Sequence, residues 1–289
     1  MKIICGTTSK SIGIDLSKLL RIPIVDTTIK RFPDGELYIR ILDNINNEDI
    51  ILIQNTYPDF NIIELFLLQG AIKEAGANKI ITIIPYFGYA RQDKIFEKGE
   101  AISAKTLAKL ISINSDEIIT IDPHKERILD FFTIPASSIS AINDLSNYFK
   151  DKKLDLLLAP DKGAIDGVKK AAKIINCDYD YMEKTRIDGY KIKIKPKKLD
   201  VKNKNIAIID DIISTGGTMA KSINELKKQN AKKVYVACTH GLFAGDAIKK
   251  IQSAKCDEII STDTIISQYS KVKIANSIAK YIMLKKYYD

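Results

Sequence analysis

The chain has 289 residues, enough for one large or two ordinary domains, and its 45% apolar content suffices for two cores. It contains no apolar run of about eighteen residues and begins with a strand-like KIIC, so we expect neither a membrane span nor a signal peptide. The four cysteines lie far apart without a CxxC pair, which predicts reduced thiols in a cytoplasmic protein.

The formal charge is +9, and much of the excess lies in residues 184–204. Lysines there alternate with apolar residues at Lys191, Lys193 and Lys195, a period that predicts an edge strand or hairpin with a solvated basic face. Aromatic residues do not interleave with these lysines. A polyanionic small substrate explains the basicity as well as nucleic acid does, and we expect no nucleic-acid partner.

Arginine is scarce. The six arginines among 45 basic residues are Arg21, Arg31, Arg40, Arg91, Arg127 and Arg186. Because a guanidinium can donate two parallel hydrogen bonds to one anion, we expect arginine to be kept mainly where such a donor is needed. Chance survival of these residues is the alternative.

Short isoleucine- and leucine-rich runs alternate with helical patterns, which is typical of a parallel α/β architecture. In the first half we predict strands at residues 2–5, 22–27, 36–41, 49–55, 79–85 and 117–122, and helices at 9–20, 61–75, 103–113 and 125–132. In the second half we predict strands at 154–159, 206–210, 233–238 and 258–262, and helices at 163–175, 218–229 and 246–250.

The two halves share a rhythm, because each has a small or amide-rich turn before a lysine-led strand, at residues 75–80 and 229–234. We interpret this as the duplication of one open, mostly parallel-sheet domain, with the join near residues 141–151. The expected domains are residues 1–143 together with 276–289, and residues 144–275. In open α/β sheets ligands bind beyond the carboxyl ends of the strands, where the motifs below lie.

Residues 206–218 form the most informative stretch, in which four apolar residues precede Asp210 and Asp211, then two hydroxyl residues, two glycines and Thr218. A glycine-rich turn that opens a helix exposes backbone N–H groups, which suit a phosphate monoester. The two aspartates repel phosphate but can accept hydrogen bonds from a vicinal diol. The order predicts binding of ribose 5-phosphate or a derivative, and it resembles the loop of type I phosphoribosyltransferases. The alternative is a capped turn with two solvated aspartates.

Two motifs in the first half combine aromatic and charged residues. Residues 31–36, RFPDGE, offer Phe32 as a flat apolar face and Asp34 and Glu36 as acceptors, although Pro-Asp-Gly also favours an ordinary β-turn. Residues 85–94, PYFGYARQDK, follow a predicted strand and place aromatic side chains beside Arg91 as a stacking surface and anion binder. The alternative is that these aromatics belong to the core.

Three further segments carry candidate polar groups. His124 follows Asp122 and Pro123 at a strand end, as a metal or phosphate contact or as a structural histidine. Asp161 follows another strand end and can reach a hydrated Mg²⁺. Lys184 and Arg186 stand in a polar segment that we expect to be a mobile loop closing over phosphates.

Together these residues closely resemble the ribose-phosphate diphosphokinases, over essentially the whole chain. The resemblance rests on seven motifs in order: RFPDGE (31–36), PYFGYARQDK (85–94), ISAK (102–105), DPH (122–124), PDKG (160–163), EKTR (183–186) and IIDDIISTGGT (208–218). It implies two domains of type I phosphoribosyltransferase architecture. It also implies transfer of the β,γ-diphosphoryl group of ATP to the C1 hydroxyl of ribose 5-phosphate, giving 5-phosphoribosyl 1-diphosphate (PRPP) and AMP.

The resemblance further implies residue roles. ATP would be held by Phe32, Asp34, Gly35, Glu36, Arg91, Gln92 and Asp93. Ribose 5-phosphate would be held by Arg186, Asp210, Asp211, Ser214, Thr215, Gly216, Gly217 and Thr218. Lys184 and Arg186 would stabilise the transferring group, and His124 and Asp161 would bind or position Mg²⁺. In this family the 31–36 loop reaches a neighbouring subunit, which implies at least a homodimer.

The chain departs from the family pattern at two positions, and two other functions would share some of its motifs. Lys94 stands where many members carry arginine, and the motif does not assign a contact between Arg31 and ATP.

A phosphoribosyltransferase that uses PRPP would share residues 210–218 but would need neither RFPDGE nor ARQDK. A non-catalytic regulatory homologue should have lost loop cations or metal residues, whereas Lys184, Arg186, His124 and Asp161 are all present.

Overall fold

A computed structural model describes residues 1–188, 191–196, 200–285 and 287, with side chains for residues 1–183, 200–285 and 287. The chain divides into two compact units, unit 1 (Met1–Ser140 and Ile274–Asp289) and unit 2 (Ala141–Lys273). The boundary between the units, at Ser140 and Ala141, lies at the start of the expected join at residues 141–151, and a helix (Ile142–Phe149) covers most of that segment. Leu145 and Phe149 are buried at helical spacing there, so packing on one face fixes the helix.

Unit 1 contains a five-stranded parallel sheet and a separate antiparallel hairpin. Its strands are β1 (Lys2–Cys5), β2 (Thr27–Arg31), β3 (Leu37–Ile41), β4 (Asp49–Ile53), β5 (Lys79–Ile84), β6 (Glu117–Ile121) and β7 (Ala136–Ile139). Its helices are α1 (Lys10–Leu20), α2 (Phe60–Glu74), α3 (Ser103–Ile111) and the C-terminal Ala275–Lys285. The sheet order is β1-β4-β5-β6-β7, and β2 pairs with β3.

Unit 2 contains a seven-stranded sheet. Its strands are β8 (Leu156–Ala159), β9 (Asp178–Asp188), β10 (Lys191–Pro196), β11 (Asn205–Ile213), β12 (Lys233–Gly241), β13 (Glu258–Thr262) and β14 (Ser270–Val272). Its helices are α4 (Ile142–Phe149), α5 (Ile165–Ile175), α6 (Gly217–Lys228) and α7 (Ala247–Ser253), and we number the C-terminal helix of unit 1 α8. The sheet order is β10-β9-β8-β11-β12-β13-β14, in which only β9 and β10 pair antiparallel.

The duplication is visible in the strand order. In unit 2 the hairpin β9–β10 lies on one side of β8, and β11 to β14 follow in order on the other side. In unit 1, β4 to β7 follow in order on one side of β1, and Ile24, shortly before the hairpin β2–β3, bridges to Ile3 of β1. Both units therefore repeat one open α/β arrangement, as the sequence predicts.

Strand β11 is buried on both faces, which explains its continuous apolar run. Ile206 and Ile208 lie in a core with Ile223 and Leu226 of α6. Ala207 and Ile209 lie in the other core, with side chains of α4 and α5. Because neither face has room for a charge, the aspartates that follow can lie only at the carboxyl end of the strand.

Several predicted elements differ from the structure. Residues 22–27 make only the bridge from Ile24, because Pro23 has no N–H to donate and the hairpin strand starts at Thr27. The helix expected at residues 125–132 is a 3₁₀ helix at Glu126–Phe131. The mobile loop expected at Lys184 and Arg186 is wrong for the backbone, which belongs to β9. The predicted edge hairpin is confirmed for the backbone by β9 and β10, and its expected basic face lies outside the described side chains.

None of the helices in the described ranges has the length and apolar character needed to traverse a bilayer.

Glu258, at the first position of β13, gathers three donors of unit 2. Its carboxylate oxygens accept hydrogen bonds from Tyr148 Oη at 2.6 Å, Lys152 Nζ at 2.9 Å and Lys271 Nζ at 2.6 Å. Burial alone would raise the pKa of Glu258, but the three hydrogen bonds outweigh it and lower this pKa from 4.5 to about 2.

We expect Glu258→Gln to lower the free energy of unfolding by about 1 kcal/mol at neutral pH, because the partly exposed charge-assisted bonds are screened by water. A depressed carboxyl pKa stabilises the folded state above the unfolded value of 4.5, and this stabilisation is lost as pH falls toward 2. Urea unfolding at pH 7 and pH 2.5 measures the effect. Asp166→Asn, which removes an exposed carboxylate of the same unit, is the control, and equal losses in both variants would contradict the expectation.

Candidate functional site

The turn between β11 and α6 presents an open helix N-terminus. Gly216 caps α6 in the left-handed region, with φ of 70°, and in the described part of the chain no side chain caps this end. The first helical bond runs from Ala220 N to Gly216 O at 2.9 Å. The N–H groups of Gly217 to Met219 therefore have no helical acceptor, and they lie at the positive end of the helix dipole.

The two glycines of this turn serve different purposes. A Cβ added to Gly216 would lie 2.8 Å from the carbonyl oxygen of Ala247, the first residue of α7, so close packing and positive φ both require glycine there. A Cβ added to Gly217 would meet nothing within 4 Å. The side of Gly217 where a Cβ would stand is therefore open, at the first residue of the helix whose N–H groups are exposed.

Asp210 and Asp211 stand at the entrance to this turn. Asp210 Oδ1 accepts a hydrogen bond from Asp211 N at 3.0 Å, and Asp211 Oδ1 accepts one from Ile212 N at 2.9 Å. Burial and the neighbouring Asp211 carboxylate raise the pKa of Asp210 well above 3.8, and the charge of Asp161 adds to the effect. The carboxyl ends of β8 and β11 therefore bring three carboxylates close enough for their charges to interact.

Asp161 starts the turn after β8, where its Oδ1 accepts a hydrogen bond from Gly163 N at 2.9 Å before α5 begins. Residues 161, 210, 211 and 214–218 are thus collected at the carboxyl edge of one sheet in unit 2, as the motifs predict. The backbones of Lys184 and Arg186 lie in β9, the strand beside β8, and their side chains lie outside the described residues.

In unit 1, residues 31–36 form the exposed tip of the β2–β3 hairpin. Arg31 Nη1 donates to Gly35 O at 2.7 Å, Asp34 Oδ1 accepts from Glu36 N at 3.0 Å, and Gly35 has φ of 95°. Phe32 is 44% exposed and packs edge-on against Tyr38. The tip presents an aromatic face and two carboxylates to solvent.

The loop after β5 is only partly a binding surface. The expected stacking role of Tyr86 and Phe87 is wrong, because these rings are 5% and 1% exposed and belong to the interior. Tyr89 remains exposed, and its hydroxyl donates to Asp59 Oδ1 at 2.9 Å. The loop is held by two side chains that follow β4, since Asn55 Oδ1 accepts from Tyr86 N at 2.7 Å and Thr56 Oγ1 accepts from Gly88 N at 2.6 Å.

Arg91, Gln92 and Asp93 follow one another in this loop but differ in how exposed they are. Arg91 is exposed and Gln92 is partly buried, with its Oε1 3.3 Å from Ser103 Oγ of α3. Asp93 is only 7% exposed and pairs with Arg127, whose Nε and Nη2 lie 2.8 and 2.6 Å from Asp93 Oδ2. Arg91 and Gln92 can face a ligand, whereas the Asp93 carboxylate is already engaged within unit 1.

His124 lies in a strained segment after β6. Asp122 and His124 have φ of 36° and 46°, values that non-glycine residues adopt at a cost. Strain of this kind is concentrated at functional sites, where the surrounding fold holds it in place. His124 is partly buried. It belongs to unit 1 and Asp161 to unit 2, so each candidate metal residue is described within its own unit.

The donor set suits an ion that arrives with a substrate. Among the described residues, no three His, Cys, Asp or Glu side chains come together as a metal-binding group. Mg²⁺ is commonly held by one or two carboxylates, with substrate phosphates and water completing its shell. Asp161 fits that mode. Since Mg²⁺ prefers oxygen to imidazole nitrogen, His124 fits better as a contact to the water or phosphate around such an ion.

Two side-chain arrangements of unit 1 carry no motif in the sequence. Arg127 appears among the scarce arginines, but no motif marks it as the partner of Asp93. Glu64 of α2 is 2% exposed and accepts hydrogen bonds from Thr7 N at 2.6 Å, Thr7 Oγ1 at 2.8 Å and Gln54 Nε2 at 2.9 Å. Its partners follow β1 and β4, so this carboxylate lies at the carboxyl edge of the sheet of unit 1.

His240, the other histidine, is 1% exposed near the end of β12, opposite Ile212 of β11. Its Nδ1 lies 2.9 Å from Thr264 Oγ1, which itself donates to Thr239 O at 2.8 Å. Thr262 Oγ1 also donates to Thr239 O at 2.7 Å, so the ring of His240 belongs to a buried network of threonine hydroxyls. The network places a structural hydrogen bond beside the aspartate pair.

A parallel strand that ends in paired carboxylates and continues through a glycine turn into an uncapped helix defines a phosphoribosyltransferase-type domain. Residues 128–273 match the family profile described as "Phosphoribosyl transferase domain". Residues 1–114 match the profile described as "N-terminal domain of ribose phosphate pyrophosphokinase".

Similar proteins agree over nearly the whole chain. The ribose-phosphate pyrophosphokinase of Pyrococcus abyssi is 41% identical over 260 residues, covering 89% of this chain and 90% of that protein. The protein of the same name from Pyrococcus furiosus is 39% identical, covering 96% and 98%. The crystal structure of phosphoribosylpyrophosphate synthetase from Mycobacterium smegmatis superposes with a TM-score of 0.86 at 27% identity, covering 98% of each chain. The chain belongs to the ribose-phosphate pyrophosphokinase family.

We expect Gly217→Ala to leave the fold intact, because the new Cβ would meet no other atom. If a phosphate binds against this first turn of α6, the added methyl group should crowd it and weaken ribose 5-phosphate binding by at least about tenfold. Gly216→Ala should instead destabilise the protein by about 1–2 kcal/mol through its positive φ alone. Thermal unfolding and calorimetric titration with ribose 5-phosphate separate the two effects. Gly167→Ala, at a helical glycine of unit 2 with equally open surroundings, is the control. Normal sugar binding by Gly217→Ala would contradict the prediction that phosphate binds at the start of α6.

We expect Asp210→Asn to stabilise the ligand-free protein while weakening sugar binding. A carboxyl whose pKa is raised on folding favours the unfolded state as pH rises above the unfolded value of 3.8, and below that value both states are protonated. Removing the charge should therefore raise the free energy of unfolding at pH 7 and leave it unchanged near pH 3. Urea unfolding at both pH values tests the sign, with Asp166→Asn as the reference. A lower stability at pH 7 would contradict it.

Proposed function

We propose that the chain catalyses transfer of the β,γ-diphosphoryl group of ATP to the C1 hydroxyl of ribose 5-phosphate, giving PRPP and AMP for nucleotide biosynthesis. The observation that carries this proposal is the open N-terminus of α6 behind the Asp210–Asp211 pair, in a chain that belongs to the ribose-phosphate pyrophosphokinase family.

The sugar site follows from the chemistry of the turn. The N–H groups of Gly217 to Met219 would bind the 5-phosphate, with the hydroxyls of Ser214, Thr215 and Thr218 as further donors. The two aspartates would accept hydrogen bonds from the vicinal hydroxyls of the ribose. Since the pKa of Asp210 is raised, hydroxyl donors that satisfy its carboxylate also relieve the repulsion between the two charges.

The nucleotide site would be built from unit 1. The exposed Phe32 offers a face for the adenine, and the carboxylates of Asp34 and Glu36 can accept hydrogen bonds from its amine or from the ribose. Arg91, exposed in the loop after β5, is the donor for the phosphates, with Gln92 beside it. Lys94, in the same loop, offers a compact positive charge, whereas an arginine would offer a planar group that donates two parallel hydrogen bonds.

Diphosphoryl transfer requires an in-line C1 hydroxyl and charge neutralisation at the oxygens of the transferring group, with little covalent chemistry from the protein. Lys184 and Arg186 would supply that positive charge as the group leaves AMP. Mg²⁺, when bound, would neutralise phosphate oxygens, and Asp161 of unit 2 and His124 of unit 1 are each a candidate to hold or orient the shell of such an ion. The residues of this chain thus bind both substrates and stabilise developing charge.

Rival functions explain less of the chain. A phosphoribosyltransferase that consumes PRPP would use the α6 turn but has no need for the hairpin tip or the Arg91 loop. A regulatory homologue without turnover would not need to keep Lys184, Arg186, His124 and Asp161 together. We also propose a cytoplasmic location, since all four cysteines are free thiols and burial raises the pKa of each.

We further propose that the active form is at least a homodimer. The hairpin tip exposes Phe32 and its carboxylates to solvent, and such a surface can complete the nucleotide site of a second copy. This hairpin forms a two-stranded ribbon separate from the five-stranded sheet of unit 1. An extended ribbon is suited to reach across an interface between identical subunits.

We expect Lys184→Ala to form AMP at least about 10³ times more slowly than wild type while binding ribose 5-phosphate nearly normally. Chromatography of the nucleotide product after incubation with ATP, Mg²⁺ and ribose 5-phosphate gives the rate, and calorimetry gives the sugar affinity. Lys169→Ala, an exposed lysine of α5, is the control. ADP as the product would indicate an ordinary kinase, and an unchanged AMP rate would remove Lys184 from the mechanism.

The same variant tests the shared site. Mixing Lys184→Ala with a second inactive variant, Asp34→Ala, should restore activity to about a quarter of wild type if the subunits reassort into dimers, because mixed dimers have one intact site. Each variant alone, at the same total concentration, is the control. No restoration in a mixture shown by native mass spectrometry to contain mixed oligomers would contradict the shared site.

A further inference from the structure

We propose that Arg127 is a positioning residue for ATP, which holds the Arg91–Gln92 segment in place by pairing with Asp93. This inference rests on the proposed function, because it assigns a purpose to the Arg91 loop within the nucleotide site. The pair has favourable geometry, since Arg127 Nε and Nη2 lie 2.8 and 2.6 Å from the same oxygen, Asp93 Oδ2.

Burial makes this pair necessary. The Asp93 side chain is 7% exposed, while the Arg127 side chain is 50% exposed. A carboxylate removed from water needs a counter-charge or hydrogen-bond donors, and without Arg127 the Asp93 carboxylate would have to move toward solvent. Because Asp93 follows Gln92 directly, any such movement would displace the two residues that face the nucleotide.

The anchoring of the loop is double. On one side of Arg91, Ala90 is 2% exposed, and on the other side Asp93 is clamped by Arg127. The 3₁₀ helix Glu126–Phe131 that carries Arg127 also ends beside Phe132, whose ring lies 5.5 Å from that of Phe87 in the same loop. One short segment therefore fixes the loop at two separate points, one apolar and one ionic.

The same segment continues directly from the strained turn with His124. Arg127 is three residues beyond His124, and Asp122 and His124 both have positive φ. Such backbone strain persists only where neighbouring contacts hold it. The Asp93–Arg127 pair joins this turn to the Arg91 loop, so losing the pair should loosen both segments together.

The test uses the full-length protein with Arg127→Ala, Arg127→Gln, Arg127→Lys and Asp93→Asn. With sugar saturating, we expect Arg127→Ala to raise the KM for ATP about 10- to 100-fold, since small displacements of binding groups cost that much. The KM for ribose 5-phosphate should stay within about twofold. Arg127→Lys, which keeps the charge, should recover part of the loss, and Arg127→Gln, which keeps most of the stem, covers the case that the alanine variant does not fold.

Two further readouts need no turnover. Calorimetric titration with a non-hydrolysable ATP analogue, without sugar, should show the same loss of affinity. Hydrogen exchange should speed up at residues 88–94 and 122–126 together. In the double variant Arg127→Ala with Asp93→Asn, the loss should be no larger than in Arg127→Ala alone, because both changes remove one interaction. Lys109→Ala, an exposed lysine on α3 of the same unit, is the matched control.

The outcomes separate the inference from the proposed function. Wild-type protein that forms no AMP would overturn the proposed function, while the affinity and exchange measurements would still decide the role of Arg127. Unchanged analogue affinity in Arg127→Ala would overturn the inference. A lower kcat with unchanged KM and unchanged exchange would also overturn it, because that pattern indicates only a smaller fraction of folded enzyme. Full recovery by Arg127→Gln would assign the effect to packing rather than charge, against the inference.

Discussion

The burial of parallel strands on both faces is the constraint on which the rest of this structure depends. A strand such as β11, with Ile206 and Ile208 in one core and Ala207 and Ile209 in another, cannot carry a charged side chain in this doubly buried segment, residues 206–209. Polar groups are therefore confined to the strand ends. There Asp161, Asp210 and Asp211 are brought together by topology alone, and the field they share raises the pKa of Asp210. Ligand chemistry is placed at this edge because the interior excludes it.

The sequence indicated the site of unit 2 more completely than that of unit 1, for a physical reason. Residues 206–218 form one continuous strand, turn and helix, so local pattern alone fixes which groups lie at the open helix end. Asp93 looks like a ligand-binding carboxylate in its motif, yet its partner Arg127 lies 34 residues away and only tertiary packing brings them together. Tyr86 and Phe87 have the composition of a stacking surface, and their burial depends on Asn55 and Thr56, which belong to another strand end.

The element boundaries also separate what local sequence pattern predicts from what depends on tertiary packing. Helices α2 and α6 were predicted to within a residue or two, whereas residues 141–151 were expected to be a join and form α4. Helix α4 is short, and its apolar positions Leu145 and Phe149 became recognisable only through the core they enter. The Lys184 segment was expected to be a loop because it is polar, but its backbone pairs with β10 at the sheet edge, where one face of a strand tolerates water. Composition predicts solvation there and does not distinguish loop from edge strand.

Glu64 shows that the two halves of the duplicated fold differ in how the polar groups at their strand ends are satisfied. In unit 1 its buried carboxylate accepts hydrogen bonds from Thr7, which follows β1, and from Gln54, which follows β4. In unit 2 the helix N-terminus after β11 has no side-chain cap, and its N–H groups are still available to a ligand. A strand end whose polar groups are already bonded within the fold contributes rigidity, whereas a strand end with open donors gains its hydrogen bonds only when a ligand arrives.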